Sequence, residues 1–212
     1  MKKHSLKRQV IVLIMLLFNQ IILSQIFLEK QSDILGIEDG ALQLGDCDND
    51  GDLDLLVAGY SRELDNSTAR IYENDGNGSF TDSYVLLPAA SAIKADWGDY
   101  DNDGDLDILI FTSTDGRLYR NDGNFNFTLV PQSFPGRAYS VIKWIDFDNN
   151  GSLDIFISGY IGWSGDPISS IYINKGNDLF EESQVSFKAC THGDSEWAAN
   201  LSAQSGNRGR LG

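Results

Sequence analysis

The sequence has little histidine and none of the short motifs that usually mark a catalytic site. Its two histidines, His4 and His192, lie too far apart along the chain for the usual spacing of a histidine-based zinc site. There is no Gly-x-Ser-x-Gly motif for a nucleophilic serine and no glycine-rich loop that would cradle phosphate. From these absences we expect a protein that is not an enzyme.

Basic residues are scarce as well. Lys and Arg together number 16 against 31 Asp and Glu, which gives a formal net charge of −15. A surface with this charge repels nucleic acid and anionic membranes, so we expect neither as a partner.

The chain also lacks an uninterrupted apolar run of about 20 residues, the length that a membrane-spanning helix requires. Its longest apolar run, residues 10–18, follows a basic start and is broken by Asn19 and Gln20. This pattern is typical of a signal peptide, and we predict that residues 1–25 are one. The mature protein would then be secreted or held at the cell surface, without inserting into the membrane.

Aspartate, in contrast, is plentiful, and much of it lies in a nine-residue stretch that occurs three times. We call these stretches loop 1 (residues 46–54), loop 2 (99–107) and loop 3 (146–154). Side chains with oxygen atoms occupy positions 1, 3, 5 and 9 of each loop, and glycine occupies position 6. Carboxylates ~4 Å apart repel by roughly 1 to 4 kcal/mol per pair, so a compact loop of this kind needs a cation. We therefore predict metal binding.

An EF-hand is the obvious alternative, because its loop also carries alternating oxygen ligands and a glycine at position 6. It further requires a bidentate Glu at position 12 and helices on both sides. Here position 12 is Val57, Ile110 or Ile157, and short apolar runs typical of buried strands follow each loop. We reject the EF-hand.

The region around the loops is repetitive, with spacings of 53 and 47 residues between loop starts. In each repeat, a strand leads into the loop, an apolar strand follows it, and a third and fourth strand are joined by a Gly/Asn turn. The fourth strands are predicted to begin at Phe80, Phe125 and Phe180. Four short antiparallel strands in about 50 residues are typical of a β-propeller blade.

We therefore predict an all-β fold with about three propeller blades, forming an incomplete or open propeller. The repeat region should span residues 26–188, with blades at approximately 38–87, 90–131 and 138–187. Residues 189–212 resemble the start of a fourth repeat that degenerates into an irregular tail, and we hypothesise that the coding frame is lost near residue 198. Trp97 and Trp144, two residues before loops 2 and 3, should pack in the core.

The loops, the preceding Trp97-Gly98-Asp99 and Trp144-Ile145-Asp146, and the following apolar strands resemble FG-GAP/VCBS repeats. These repeats build the calcium-binding β-propellers of integrin α-subunits and of many secreted bacterial proteins. The resemblance implies up to three Ca²⁺ sites, and loop 3 should bind most weakly because Asn150 and Ser152 are neutral. The implied side-chain ligands are Asp46, Asp48, Asp50, Asp54, Asp99, Asp101, Asp103, Asp107, Asp146, Asp148, Asn150 and Asp154, with the carbonyls of Asp52, Asp105 and Ser152.

The two cysteines could form a disulfide or remain free thiols. Cys47 and Cys190 could pair in an oxidising compartment. However, Cys47 occupies a loop position where the other copies have Tyr100 and Phe147. A free thiol is therefore the expectation.

The expected function is a secreted calcium-binding module for extracellular binding or adhesion, with a protein or glycan as the ligand. Tyr60, Tyr160 and Trp163 lie in connections on the face opposite the metal loops, where variable loops on a rigid scaffold often carry recognition. They could stack on a sugar or peptide, or simply pack within their loops. Open blade edges could also pair with a second copy. The alternative function is the non-catalytic propeller portion of a secreted polysaccharide-active enzyme.

Overall fold

The computed structural model describes residues 33–87, 94–161 and 167–185, and every regular element in these ranges is a β-strand. They form three four-stranded sheets, which we call blades. Blade 1 comprises β1 (Glu38–Gly45), β2 (Asp54–Ser61), β3 (Asn66–Asn74) and β4 (Phe80–Asp82). Blade 2 comprises β5 (Lys94–Gly98), β6 (Asp107–Phe111), β7 (Asp115–Asn121) and β8 (Phe127–Pro135). Blade 3 comprises β9 (Ala138–Ile145), β10 (Asp154–Tyr160), β11 (Pro167–Asn174) and β12 (Phe180–Glu182).

Each blade is an antiparallel meander in which strands adjacent in sequence are adjacent in the sheet. The all-β prediction, with blades of four antiparallel strands, is confirmed. Gly45 pairs with Asp54 in blade 1, and Gly98 pairs with Asp107 in blade 2. The metal loop therefore joins the first strand to the second, and its ninth residue is the first residue of the second strand.

The second strand of blade 2 is buried on both faces, as its continuous apolar run predicts. Ile108 and Ile110 belong to a cluster with residues of blade 1, including Leu56. Leu109 and Phe111 point the other way, into a cluster with residues of blade 3. The two largest buried clusters of the described residues therefore lie between blades.

Two tryptophans fit against glycines of the preceding blade. A Cβ atom placed on Gly98 would lie 2.5 Å from the Trp144 ring, and one on Gly45 would lie 2.9 Å from the Trp97 ring. Both rings pack against the interblade clusters, as the sequence predicts. Only a residue without a side chain permits this approach.

One strand begins later than predicted. β8 starts at Phe127 and not at Phe125, because Asn124 and Phe125 both have positive φ values, 53° and 57°. The N–H of Asp122 donates to the carbonyl of Asn126 at 2.9 Å, which closes this turn. Phe125 therefore belongs to the turn, although the apolar pattern predicts it as the first residue of the strand.

Several predictions fall outside the described residues: the signal peptide at 1–25, Trp163, Cys190 and the degenerate repeat at 189–212. Within the described ranges, no helix is long and apolar enough to cross a membrane.

Candidate metal centre

The three loops share one backbone conformation. Glycine at position 6 has a positive φ in every copy, 96° at Gly51, 96° at Gly104 and 87° at Gly151. Asparagine at position 4 also has a positive φ, between 59° and 62°, at Asn49, Asn102 and Asn149. Glycine and asparagine tolerate this region better than other residues, so the sequence specifies the turn twice in each loop.

Within the turn, carboxylates accept hydrogen bonds from the loop backbone. The N–H of the position 6 glycine donates to the position 1 aspartate at 3.1 Å in each copy. The position 5 side chain accepts from the N–H two residues further on, at 2.9 Å in loop 2 and 2.7 Å in loop 3. These bonds turn the acidic side chains toward the interior of the loop.

The position 9 aspartate is fully buried in each blade and joins the loop to the sheet. In blade 2, Asp107 accepts the N–H of Tyr100 at 2.9 Å and the N–H of Asn121 at 2.8 Å. Asp54 and Asp154 accept the corresponding pairs of N–H groups in the other blades. This aspartate therefore fixes both ends of its loop, whether or not it also contacts a cation.

Each loop brings three carboxylates together, with one oxygen from each lying within 4.8 Å of the others. The sets are Asp46, Asp48 and Asp50 in loop 1, Asp99, Asp101 and Asp107 in loop 2, and Asp146, Asp148 and Asp154 in loop 3. All nine are among the ligands expected from the sequence. Two expected carboxylates, Asp54 and Asp103, are not members of these sets, and the expected ligand Asn150 carries an amide, whose oxygen accepts the N–H of Ser152.

The position 7 aspartates of loops 1 and 2 contact residues outside their own loops. Asp105 accepts a hydrogen bond from Asn49 of the neighbouring loop at 2.5 Å, and the Asp52 carboxylate lies against Gly76. The expectation that position 7 offers its carbonyl to an ion stays a prediction.

The clusters carry an electrostatic cost that a cation would relieve. Burial raises the pKa of Asp107 to about 8, and the charges of Asp101 and Asp103 act in the same direction. Burial and neighbouring carboxylates likewise raise the pKa of Asp154. In loop 1, Asp46 Oδ1 is buried and has no hydrogen-bond partner among the described residues. An all-oxygen donor set with excess negative charge suits a hard divalent cation.

Comparison with known families identifies the repeat. A family model described as "FG-GAP-like repeat" matches residues 46–110 and 99–157, which together span just over half of the chain. The chain belongs to the FG-GAP-like repeat family. A comparison with curated proteins finds no matching relative. The two family matches overlap across loop 2, and each runs from the start of one loop to the strand that follows the next.

Sequence reasoning missed one residue that each of the three described blades uses. The asparagine that ends the third strand (Asn74, Asn121 or Asn174) donates from Nδ2 to the carbonyl at loop position 8. Asn121 also donates to the Cys47 carbonyl of blade 1 at 2.7 Å, and Asn174 to the Tyr100 carbonyl of blade 2 at 2.8 Å. The only feature of the sequence that points to this role is that an asparagine recurs directly before each Gly/Asn turn. In blades 2 and 3, this asparagine therefore connects its own blade to the metal loop of the preceding blade.

Cys47 is free and buried, as expected. Its Sγ donates to Asp54 Oδ2 at 3.0 Å, and burial raises the pKa of the thiol. A protonated thiol in this position packs in the interblade core, where the other repeats have aromatic side chains.

Of the three aromatic residues predicted to contact a ligand, the structure describes Tyr60 and Tyr160. Tyr60 lies near the end of β2, is 39% exposed, and donates its hydroxyl to Asp65 across the hairpin. Tyr160 ends β10 and is partly buried. Both occupy strand ends opposite the ends that carry the metal loops.

Proposed function

We propose that the protein is a calcium-stabilised propeller module of the FG-GAP-like repeat family that is exported and binds an extracellular protein or glycan. One observation carries the proposal: three oxygen-only clusters recur at the same junction, between the first and second strands, in three successive blades. Recurrence on every blade favours a shared structural ion over a single reaction centre.

The ion would be held by the carboxylates of each cluster, together with position 5 and the carbonyl at position 7. Extracellular calcium modules bind with Kd values of ~10⁻⁴ to 10⁻³ M. At ~2 mM Ca²⁺, each site would then stabilise the folded chain by roughly 0.7–1.8 kcal/mol. Bound calcium would neutralise carboxylates that otherwise repel, and so hold each loop closed.

The recognition surface would lie on the opposite side of the blades, where β2 joins β3 and β10 joins β11. Tyr60 supports this assignment because it is exposed, while its hydroxyl bond to Asp65 orients the ring. Aromatic rings in such positions offer stacking surfaces for sugars and peptides. We propose binding and not catalysis, since the densest carboxylates already belong to the metal loops.

Immobilised glycans and extracellular matrix proteins test the proposal directly. We expect the purified protein to bind at least one of them in ~2 mM Ca²⁺ and to lose binding in EGTA, since the loops need their ions. Tyr60→Ala should weaken that binding about tenfold. Tyr84→Ala is the matched control, because Tyr84 is 81% exposed but follows β4 at the outer edge of blade 1. Absence of binding to every probe, or equal loss in the two variants, would contradict the proposed role.

A further inference from the structure

Loops 1 and 2 carry the same side chains at every position that is expected to bind calcium. They differ only at position 2, where Cys47 and Tyr100 pack in the clusters between blades. The expected ligands alone therefore give the two loops no reason to bind calcium with different affinities. Residues around the ligands would decide whether the affinities differ.

One position beside the loops changes its charge from blade to blade. It directly precedes the asparagine that ends the third strand, and we call it the flanking position. It is occupied by Glu73 in blade 1, Arg120 in blade 2 and Ile173 in blade 3. The backbone N–H of the asparagine that follows donates to the position 9 aspartate of the loop, at 2.9 Å in blade 1 and 2.8 Å in blades 2 and 3. These bonds hold the flanking position beside the loop.

The contacts of Arg120 place its positive charge next to loop 2. Its Nη1 donates to Asp178 Oδ2 at 2.9 Å, and the hydroxyl of Tyr100, from loop position 2, donates to Oδ1 of the same carboxylate at 2.5 Å. Arg120 Nε also pairs with Asp122 at 2.8 Å, so aspartates offset part of the positive charge. Glu73, in contrast, is exposed and forms no ion pair with the described residues.

The two charges act on their loops in opposite directions. Burial raises the pKa of Asp48, at position 3 of loop 1, and the charge of Glu73 acts in the same direction. Burial also raises the pKa of Asp101, at position 3 of loop 2, whereas the charge of Arg120 lowers it. Loop 1 therefore has a more negative environment than loop 2. A negative neighbour attracts a divalent cation, and a positive neighbour repels it.

We propose that the flanking position sets the calcium affinity of its loop, so that Glu73 strengthens binding at loop 1 and Arg120 weakens it at loop 2. The inference rests on the calcium binding proposed above. We expect loop 1 to bind calcium roughly threefold to tenfold more tightly than loop 2, because exposed charges act through solvent. Ile173 is uncharged, so loop 3 depends on its own ligands.

A calcium titration followed by nuclear magnetic resonance measures each loop separately in the intact protein. The N–H groups of Gly51 and Gly104 donate to the position 1 aspartates of loops 1 and 2, so their signals report binding at their own loop. The Gly51 signal should respond at a Ca²⁺ concentration roughly threefold to tenfold lower than the Gly104 signal. Glu73→Gln should weaken binding at loop 1 about threefold, and Arg120→Gln should strengthen binding at loop 2 by about the same factor.

A conservative variant, a matched control and added salt separate the effect of charge from that of structure. Arg120→Lys keeps the positive charge but not the planar guanidinium, and should leave the Kd of loop 2 within about twofold of the wild-type value. Glu63→Gln makes the same change as Glu73→Gln in the exposed β2–β3 hairpin, at the other end of blade 1, and should have no effect. In ~1 M NaCl the differences should largely disappear, because the Debye length falls to about 3 Å.

The possible results distinguish this inference from the calcium binding on which it rests. Equal Kd values at loops 1 and 2, or values that Glu73→Gln and Arg120→Gln leave unchanged, would overturn the inference and leave calcium binding intact. An effect of Arg120→Gln that Arg120→Lys reproduces and that persists at high salt would also overturn it, by showing that the guanidinium acts through its contacts. If neither glycine signal responds to millimolar Ca²⁺, the proposed calcium binding is itself wrong.

Discussion

Two polar residues per repeat, the aspartate at loop position 9 and the asparagine that ends the third strand, connect the loops to the blades. Asp107 accepts hydrogen bonds from the N–H groups of Tyr100, in the metal loop, and Asn121, at the end of β7. The Asn121 side chain in turn donates to the carbonyl of Cys47, which lies 74 residues away in blade 1. A buried donor or acceptor left without its partner costs about 1–3 kcal/mol. The metal loops are therefore coupled to blade packing through specific hydrogen bonds.

Position 5 of the loops separates the effect of charge from that of the loop hydrogen bonds. Asp103 and Asn150 accept equivalent backbone N–H bonds, so Asp103→Ala and Asn150→Ala remove the same contact. In ~2 mM Ca²⁺ we expect Asp103→Ala to lose about 1 kcal/mol more stability, because it also removes a carboxylate from the ion. Urea denaturation measures this, and repeating it in EGTA provides the control. A difference of the same size in EGTA would contradict the metal assignment.

The interblade asparagine makes a second prediction at this scale. Asn121→Ala should reduce the free energy of unfolding by about 1–3 kcal/mol, since it leaves the buried carbonyl of Cys47 without its donor. Asn74→Ala is the matched variant, because Asn74 holds the equivalent position but its hydrogen bonds to described residues all lie within blade 1. Asn74→Ala should reduce the free energy of unfolding by about 1 kcal/mol or less. Equal losses in denaturant titrations would show that the interblade bond does not stabilise the fold.

At the scale of strands, the sequence predicts which segments pair but not how neighbouring blades contact each other. β6 is recognisable because Ile108, Leu109 and Ile110 form a continuous apolar run between turn residues. The start of β8 is not, because the positive φ at Phe125 depends on the closing bond between Asp122 and Asn126. No local sequence pattern predicts the roles of Asn121 and Asn174, because the carbonyls of Cys47 and Tyr100, to which they donate, lie in another repeat.

The glycine–tryptophan contact between blades is a prediction at this scale. Gly98→Ala should destabilise the protein by about 1–3 kcal/mol, because the added Cβ would lie 2.5 Å from the Trp144 ring. The matched control is Gly36→Ala, where nothing lies within 4 Å of the added atom. Thermal unfolding of both variants measures the difference. Adding Trp144→Leu to Gly98→Ala should recover part of the loss, and its failure to do so would argue against the contact.

At the scale of the molecule, negative charge and fold are linked. The three loops hold 13 of the 31 acidic residues, so the net charge of −15 is concentrated at three strand junctions. The sequence predicts these junctions well, because the loop residues are contiguous and recur. It does not predict that Leu42 and Leu44 are exposed, since they lie in an ordinary strand pattern and only comparison with blades 2 and 3 reveals the difference.

Calcium titration of the folded protein by isothermal calorimetry tests the central claim most directly. The account predicts uptake of about three Ca²⁺ ions per chain, with Kd values near 10⁻⁴ to 10⁻³ M and loop 3 the weakest. Replacing Asp99 and Asp101 with Asn should remove about one ion from this number, because these residues supply two of the three carboxylates in loop 2. A folded protein that takes up no calcium at millimolar concentrations would contradict the account.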